Sequence, residues 1–192
     1  MLKRKDKILI SAIELFEKWG VNGLTTKNLA QTQGISEPAL YRQYKNKQQI
    51  INAIIEEFSS YDENIINTII ESKLTGKEAM LFYINRYAEL YQNYSGFATI
   101  LISLDLYYYN DETRKRMKEI IDKRNNFLSL IISKGEQNFY ETSLFTPDEL
   151  AKTINNMLFA LVYEWYMEGK SYDLKERILS FSLKLFIDHK GD

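Results

Sequence analysis

The chain has 192 residues, 27% of them charged and 45% hydrophobic, with a net charge of −1. The absence of cysteine excludes disulfides, thiolate metal sites and cysteine nucleophiles. Two prolines, eight glycines and no long polar tract leave little room for linkers, and no apolar run reaches membrane-spanning length.

The start, MLKRKDKILI, runs straight into an amphipathic segment and not into a signal peptide, so a cytoplasmic location is expected. Lys5 to Trp19 reads as a helix. Ile8, Ala12, Phe16 and Trp19 share one face, Leu9, Ile13 and Leu15 widen it, and Gly20 ends it. Two short helix-sized segments follow, Thr26–Gln33 and Ser36–Tyr44, separated by Gly34. Thr25 or Thr26 can cap the first and Ser36 the second, because a hydroxyl accepts an orphan N–H at a helix start. Gly34 supplies the left-handed backbone of a tight turn, and Pro38 sits in a first turn where its missing N–H costs little. Leu29, Ala30, Ile35 and Leu40 are the apolar residues that lock the pair. This is the pattern of a helix-turn-helix, whose second helix enters the DNA major groove.

From Lys47 a long helix carries Ile50, Ile51, Ile54, Ile55 and Phe58 at helical spacing. It continues through Ile65, Ile66, Ile69 and Ile70 to a turn at Leu74-Thr75-Gly76. Lys77 to Tyr94 is the next helix, broken at Ser95-Gly96. The segment from Phe97 to Tyr109 is almost continuously apolar and is expected to be buried on all sides. Asp111 to Phe139 reads as a long helix with early charges and a later apolar face of Ile120, Ile121, Phe127, Leu128, Leu130 and Ile131. Thr146-Pro147-Asp148-Glu149 combines a cap, a first-turn proline and acids at the positive end of the dipole, and opens a helix running to Glu168. The last helix, from Tyr172-Asp173 to Asp188, has two apolar stripes: Ile178, Phe181 and Leu185, then Leu179, Leu183 and Phe186. Two stripes on one terminal helix call for two partners, one of them beyond its own domain. There is no internal repeat and no convincing strand, so the fold class is all-α.

Charge is unevenly spread. Residues 1–50 hold nine basic and four acidic residues, a net of +5, against −6 for the rest. A basic head on an acidic body suits a polyanion-binding domain joined to one with another task. The body offers no catalytic set: the lone histidine, His189, has no metal or nucleophile partner, and Gly76-Lys77-Glu78 lacks the spacing of a phosphate loop. No cofactor motif and no enzyme activity are expected. Aromatic residues are plentiful, with 14 Tyr, 10 Phe and 2 Trp. They either form core or line a cavity for an apolar or aromatic effector. Tyr83, Tyr87, Phe97, Leu101, Asp105, Tyr108, Phe127 and Trp165 are the candidate lining. Asp105 interrupts the most apolar segment, so it needs either a core Tyr or Arg or a cationic or hydroxylated effector.

The run GLTTKNLAQTQGISEPALYRQYKNKQQI resembles the DNA-binding segment of the TetR family of bacterial repressors. The likeness rests on Thr25/Thr26, Ala30, Gly34, Leu40-Tyr41, Tyr44 and Lys45-Asn46-Lys47. It implies a three-helix DNA-binding head over residues 1–47, containing the helix-turn-helix, and a larger helical ligand-binding and dimerisation body over 48–192. By position in the motif, Thr26, Tyr41 and Lys47 should face phosphates. Lys27, Glu37, Pro38, Ala39, Arg42 and Gln43 are the base-facing candidates, and Ser36 completes the DNA-binding set as the recognition-helix cap. Arg42 suits guanine, Gln43 adenine and Glu37 cytosine N4, while Pro38 and Ala39 can touch a thymine methyl. Arg42 and Gln43 serve equally well on phosphate, and Glu37 can simply complement the helix dipole. The resemblance further implies that the long fourth helix links head to body and that the last two helices form a four-helix homodimer interface. The function implied is a repressor released from a palindromic operator by a small molecule. The alternative is a DNA-bound protein of the same fold whose body recruits another protein.

Overall fold

The computed structural model describes residues 3–108, 110–135 and 145–185. Among them are ten helices and no strand. They are α1 (Arg4–Gly23), α2 (Thr26–Thr32), α3 (Glu37–Tyr41), α4 (Lys47–Glu71), α5 (Gly76–Asn93), α6 (Ser95–Ile102), α7 (Leu104–Tyr108), α8 (Asp111–Ser133), α9 (Pro147–Met167) and α10 (Leu174–Leu185). Contacts gather into two compact units, Met1–Tyr61 with Ser95–Lys118, and Asp62–Tyr94 with Glu119–Asp192. The division falls inside α4 and α8.

In the first unit α1 buries Ile8, Ala12, Leu15 and Phe16, the face read from the sequence. Trp19 departs from that reading. Its side chain is half exposed, with the Lys18 ammonium 4.9 Å from the ring, because the backbone leaves the helix at Gly20 and the stripe no longer meets the core there. α6 crosses α1 closely at Gly96. A Cβ there would lie 2.3 Å from Ile13 Cγ2 and 3.3 Å from the Ile13 carbonyl oxygen, so only glycine permits the approach. Asn46 caps α4 by accepting from the Gln49 N–H at 2.9 Å. α4 and the start of α8 are tied by polar contacts: Gln48 to Thr113 at 3.0 Å, Asn52 to Glu112 at 3.0 Å, and Arg116 gripping both oxygens of Glu56 at 2.7 and 2.8 Å.

The segment from Phe97 to Tyr108 corrects an expectation. It is not one buried helix but two short ones, α6 and α7, parted at Ser103, whose hydroxyl turns back to the Thr99 carbonyl at 2.6 Å. The break resets the helical register. Ala98, Ile100 and Leu106 are buried, while Leu104 and Tyr108 are 69% and 73% exposed. Tyr109 lies outside the described residues.

In the second unit α5 packs against α9 and α10. Thr146 caps α9 as expected: its hydroxyl accepts from the Glu149 N–H, and the Glu149 carboxylate accepts from the Thr146 N–H at 2.8 Å. The Asp173 carboxylate accepts from the Glu176 N–H at 2.7 Å at the start of α10. Ile154, Leu158, Leu161, Val162 and Trp165 of α9 and Ile178 of α10 are buried. On α8, Ile120, Leu128 and Ile131 are buried, whereas Ile121 and Leu130 are exposed. The expected extensions of α8 to Phe139 and of α10 to Asp188 fall on undescribed residues, as do Phe186 and His189.

Candidate nucleic-acid interface

The helix-turn-helix is built by local chemistry. The Asn28 N–H donates to Thr25 Oγ1 at 3.1 Å, so Thr25 is the cap of α2 and Thr26 is left for other work. The chain turns at Gly34, which takes φ +61°, and the Ile35 N–H donates back to the Ala30 carbonyl at 3.0 Å. Ser36 then caps α3 through the Ala39 N–H, with Pro38 in the first turn. Fully buried Leu29 and Leu40 clamp the two helices. Arg42 and Gln43 lie just past α3 in a helical turn, their N–H groups donating to the carbonyls of Pro38 and Leu40.

That clamp decides what faces out. Lys27, Ser36, Pro38, Tyr41 and Arg42 are exposed, and Thr26, Glu37, Ala39 and Gln43 are partly so. Nine of the ten sequence-derived DNA-binding residues thus lie on or beside α2 and α3. Their polar groups also engage one another. Thr26 Oγ1 donates to Glu37 Oε2 at 3.1 Å and lies 3.3 Å from the Tyr41 hydroxyl. Lys47, the tenth, opens α4, and its ammonium donates to the Val21 carbonyl at 2.5 Å. Partial burial holds its pKa below the usual lysine value. One of its three donors is therefore used within the protein, a contact with no signal in the motif.

The second unit contains a polar cluster that the sequence reading missed. Arg124 of α8 forks onto Asp62 of α4, Nε to Oδ2 at 2.6 Å and Nη2 to Oδ1 at 2.7 Å, with side chains only 6% and 2% exposed. Arg124 Nη1 also reaches the Tyr91 hydroxyl at 3.2 Å, the Tyr87 hydroxyl donates to Asp62 Oδ1 at 2.7 Å, and the guanidinium lies 4.5 Å from the Tyr87 ring centre. Burial pushes the Tyr87 phenol well up. Burial alone would lower the Arg124 pKa, but Tyr87, Tyr91 and Asp62 together raise it, so the guanidinium stays charged. Beside this, the Tyr83 hydroxyl donates to Asn155 Oδ1 at 2.7 Å and the Asn155 amide to Asn125 Oδ1 at 2.8 Å. A signal was present. Asp62 sits four residues after Phe58 and three before Ile65, and Arg124 sits four from both Ile120 and Leu128. Both charges therefore lie in the middle of apolar stripes.

Of the effector candidates, Tyr83 and Tyr87 are brought together in this cluster, their ring centres 4.6 Å apart. Trp165 is buried in the same unit, its indole N–H donating to the Tyr172 carbonyl at 2.9 Å, and Phe127 is partly buried there. Phe97, Leu101, Asp105 and Tyr108 belong to the first unit. Asp105 is exposed in α7, so the premise that it needs a buried partner does not hold. An open pocket of about 440 Å³ lies in the second unit, lined by Glu168, Tyr172, Asp173, Glu176, Arg177 and Ser180. None of the eight candidates lines it. Among the described residues no group of acids and histidines is arranged to hold a metal, and no helix is long and apolar enough to cross a membrane.

Comparisons with known proteins agree with this geometry. The sequence model described as bacterial regulatory proteins, tetR family, matches residues 8–54. The chain is 26% identical over 172 residues to a fatty acid metabolism regulator protein of Bacillus subtilis, covering 88% of this chain and 86% of that one. It is 25% identical over 147 residues to the nucleoid occlusion factor SlmA of Vibrio atlanticus, covering 76% of this chain and 74% of that one. The solved structure of the transcriptional regulator FadR from Bacillus subtilis, in complex with stearoyl-CoA, superposes with a TM-score of 0.80. That match covers 98% of this chain and 100% of the other, at 22% identity. The all-α fold is thus TetR-like, and residues 8–54, which hold the helix-turn-helix, match the tetR family of bacterial regulatory proteins.

Proposed function

We propose that the protein is a homodimeric repressor that leaves a palindromic operator when a long-chain acyl thioester binds its body. The observation that carries the DNA half is the outward face of α3, where Tyr41 and Arg42 are exposed over a clamp of buried Leu29 and Leu40. In this reading residues 1–47 meet DNA and residues 48–192 bind the effector and the second copy. Thr26, Tyr41 and Lys47 hold phosphates. Lys27, Ser36, Glu37, Pro38, Ala39, Arg42 and Gln43 meet the major groove. The twin heads read half-sites about 34–36 Å apart.

Dimerisation through α9 and α10 is supported by the apolar side chains they leave exposed: Tyr163 and Met167 on α9, Phe181 and Leu183 on α10. The acyl thioester is supported by the likeness to a fatty acid regulator and to a structure holding stearoyl-CoA. To act as an inducer it must prefer the released state, by about 10⁴-fold for a full reversal of a 99:1 ratio. No catalytic role is proposed, and work on DNA sets the protein in the cytoplasm.

The test has two arms. Duplexes are selected from a random pool by the purified protein, and stearoyl-CoA is then titrated into the complex. Salt-dependent, sequence-selective binding by a dimer is expected, followed by release. Absence of selective binding would refute the reading. A second reading has its own support. Tyr83, Tyr87, Tyr91, Asp62 and Arg124 fill the centre of the second unit with satisfied contacts, and SlmA is among the relatives. On that reading the body recruits a protein partner. It prevails if neither stearoyl-CoA nor a metabolite screen raises the melting temperature, since a ligand of the folded state must do so.

A further inference from the structure

The three groups Thr26, Glu37 and Tyr41 carry more than a list of DNA contacts. Thr26 has one hydroxyl hydrogen, and it points at Glu37 Oε2, 3.1 Å away. With that hydrogen committed, the 3.3 Å contact between Thr26 and Tyr41 has only one polarity: the Tyr41 hydroxyl donates to the Thr26 oxygen. The result is a relay, Tyr41 to Thr26 to the Glu37 carboxylate. Both hydroxyl hydrogens assigned to phosphate are thus engaged inside the protein, that of Thr26 by the acid and that of Tyr41 by the Thr26 oxygen. A phosphate oxygen is acceptor-only, as is a carboxylate, so the two compete for the same donors.

From this competition we infer that Glu37 is a specificity-determining residue that locks the phosphate clamp until the correct base releases it. The inference rests on the DNA-binding reading above. On an arbitrary duplex Glu37 keeps the hydroxyls and repels the backbone, so the protein holds weakly. On the operator a base donor takes over the carboxylate, and Thr26 and Tyr41 turn to phosphate. The donor is the exocyclic amino group of cytosine. Adenine also offers an amino group, but its neighbouring N7 is an acceptor and opposes a carboxylate. Base reading and backbone clamping become one event.

The experiment uses the full-length protein and two 30-base-pair duplexes, one selected from a random pool by the wild type and one scrambled. Glu37→Ala should tighten binding to the scrambled duplex by about tenfold, the size of a regained hydrogen bond, and should weaken binding to the selected one. Selection repeated with Glu37→Ala should lose a cytosine that the wild type enriches once in each half-site. In a Thr26→Val, Tyr41→Phe background the gain on scrambled DNA should vanish, because no hydroxyls remain to be freed. A gain that persists there is simple charge repulsion and overturns the relay. Unchanged selection with an unchanged affinity ratio also overturns it while leaving the DNA-binding reading intact. Wild-type protein that selects no sequence sinks both. If Glu37→Ala melts early, Glu37→Met carries the comparison: it fills similar space without an oxygen acceptor, and it too should lose the cytosine.

Discussion

The Thr26–Glu37–Tyr41 cluster of the first unit and the Asp62–Arg124–Tyr87–Tyr91 cluster of the second use the same groups, carboxylate and phenol, in opposite settings. In the first, Tyr41 is 45% exposed and water reaches the acid. In the second, Asp62 is 2% exposed and every charge has its partner within the fold. Hydrogen bonds at a wet surface are each worth about 0.5–1.5 kcal/mol net, so partners can be exchanged. A buried ion pair cannot be traded that way, because separating it leaves a charge without solvent. The outer cluster is suited to recognition and the inner one to holding α4, α5 and α8 in one arrangement.

The widest gap between the two appears on breaking the inner one. Arg124→Met should cost about 3–5 kcal/mol in urea unfolding, since Asp62 is left buried and alone. The double variant Asp62→Leu, Arg124→Met should recover much of that loss; if it does not, the pair is more than a matched set of charges. Substitution of an exposed residue beside α3 should do the reverse, with operator binding lost and folding kept. Arg42→Ala should weaken operator binding by about 1–3 kcal/mol by fluorescence anisotropy, with an unchanged melting temperature. A smaller effect separates stability from binding within the second unit. Thr146→Ala removes the cap of α9 and should cost about 1 kcal/mol of unfolding free energy without altering DNA affinity measured below the transition.

The smallest effect is acidic. Hydrogen bonds from Lys175 to Glu89, from the Thr146 backbone to Glu149, from the Glu176 backbone to Asp173 and from Arg116 to Glu56 hold these four carboxyls below their ordinary values. Their folded pKa values are depressed. The stability they contribute is therefore complete above the unfolded values of 4.5 for Glu and 3.8 for Asp, and fades as pH falls through the folded ones. All four are at or near the surface, so solvent screening keeps the effect modest. Melting temperature followed from pH 6 to pH 3 should fall only in the lower half of that range.

Much of this was legible because it is local. Thr25, Gly34, Ser36 and Pro38 specify the helix-turn-helix within 14 residues, and Thr146, Pro147 and Glu149 do the same for the start of α9. Periodicity found the buried face of α1 through Phe16. It failed at Trp19 and at Leu104 and Tyr108 for one reason: Gly20 and Ser103 reset the register, and a stripe drawn through a break points the wrong way. Pairings across the chain were not visible. Asp62 and Arg124 interrupt apolar stripes, a signal the sequence reading passed over, and only tertiary packing joins them. Lys47 meeting Val21, and Glu37 meeting Thr26, depend on how the helices stack, and no pattern along the chain encodes that.

The close approach of Gly96 to Ile13 has a consequence for biosynthesis. The first unit is assembled from two stretches of the message, separated by the 33 residues from Asp62 to Tyr94 that belong elsewhere. At about 5–20 residues per second, a nascent head waits roughly 2–7 s between Tyr61 and the arrival of Ser95. Through that interval the side of α1 around Ile13 is uncovered as the polypeptide leaves the ribosome. A gene cut short after codon 61 would make that transient exposure permanent.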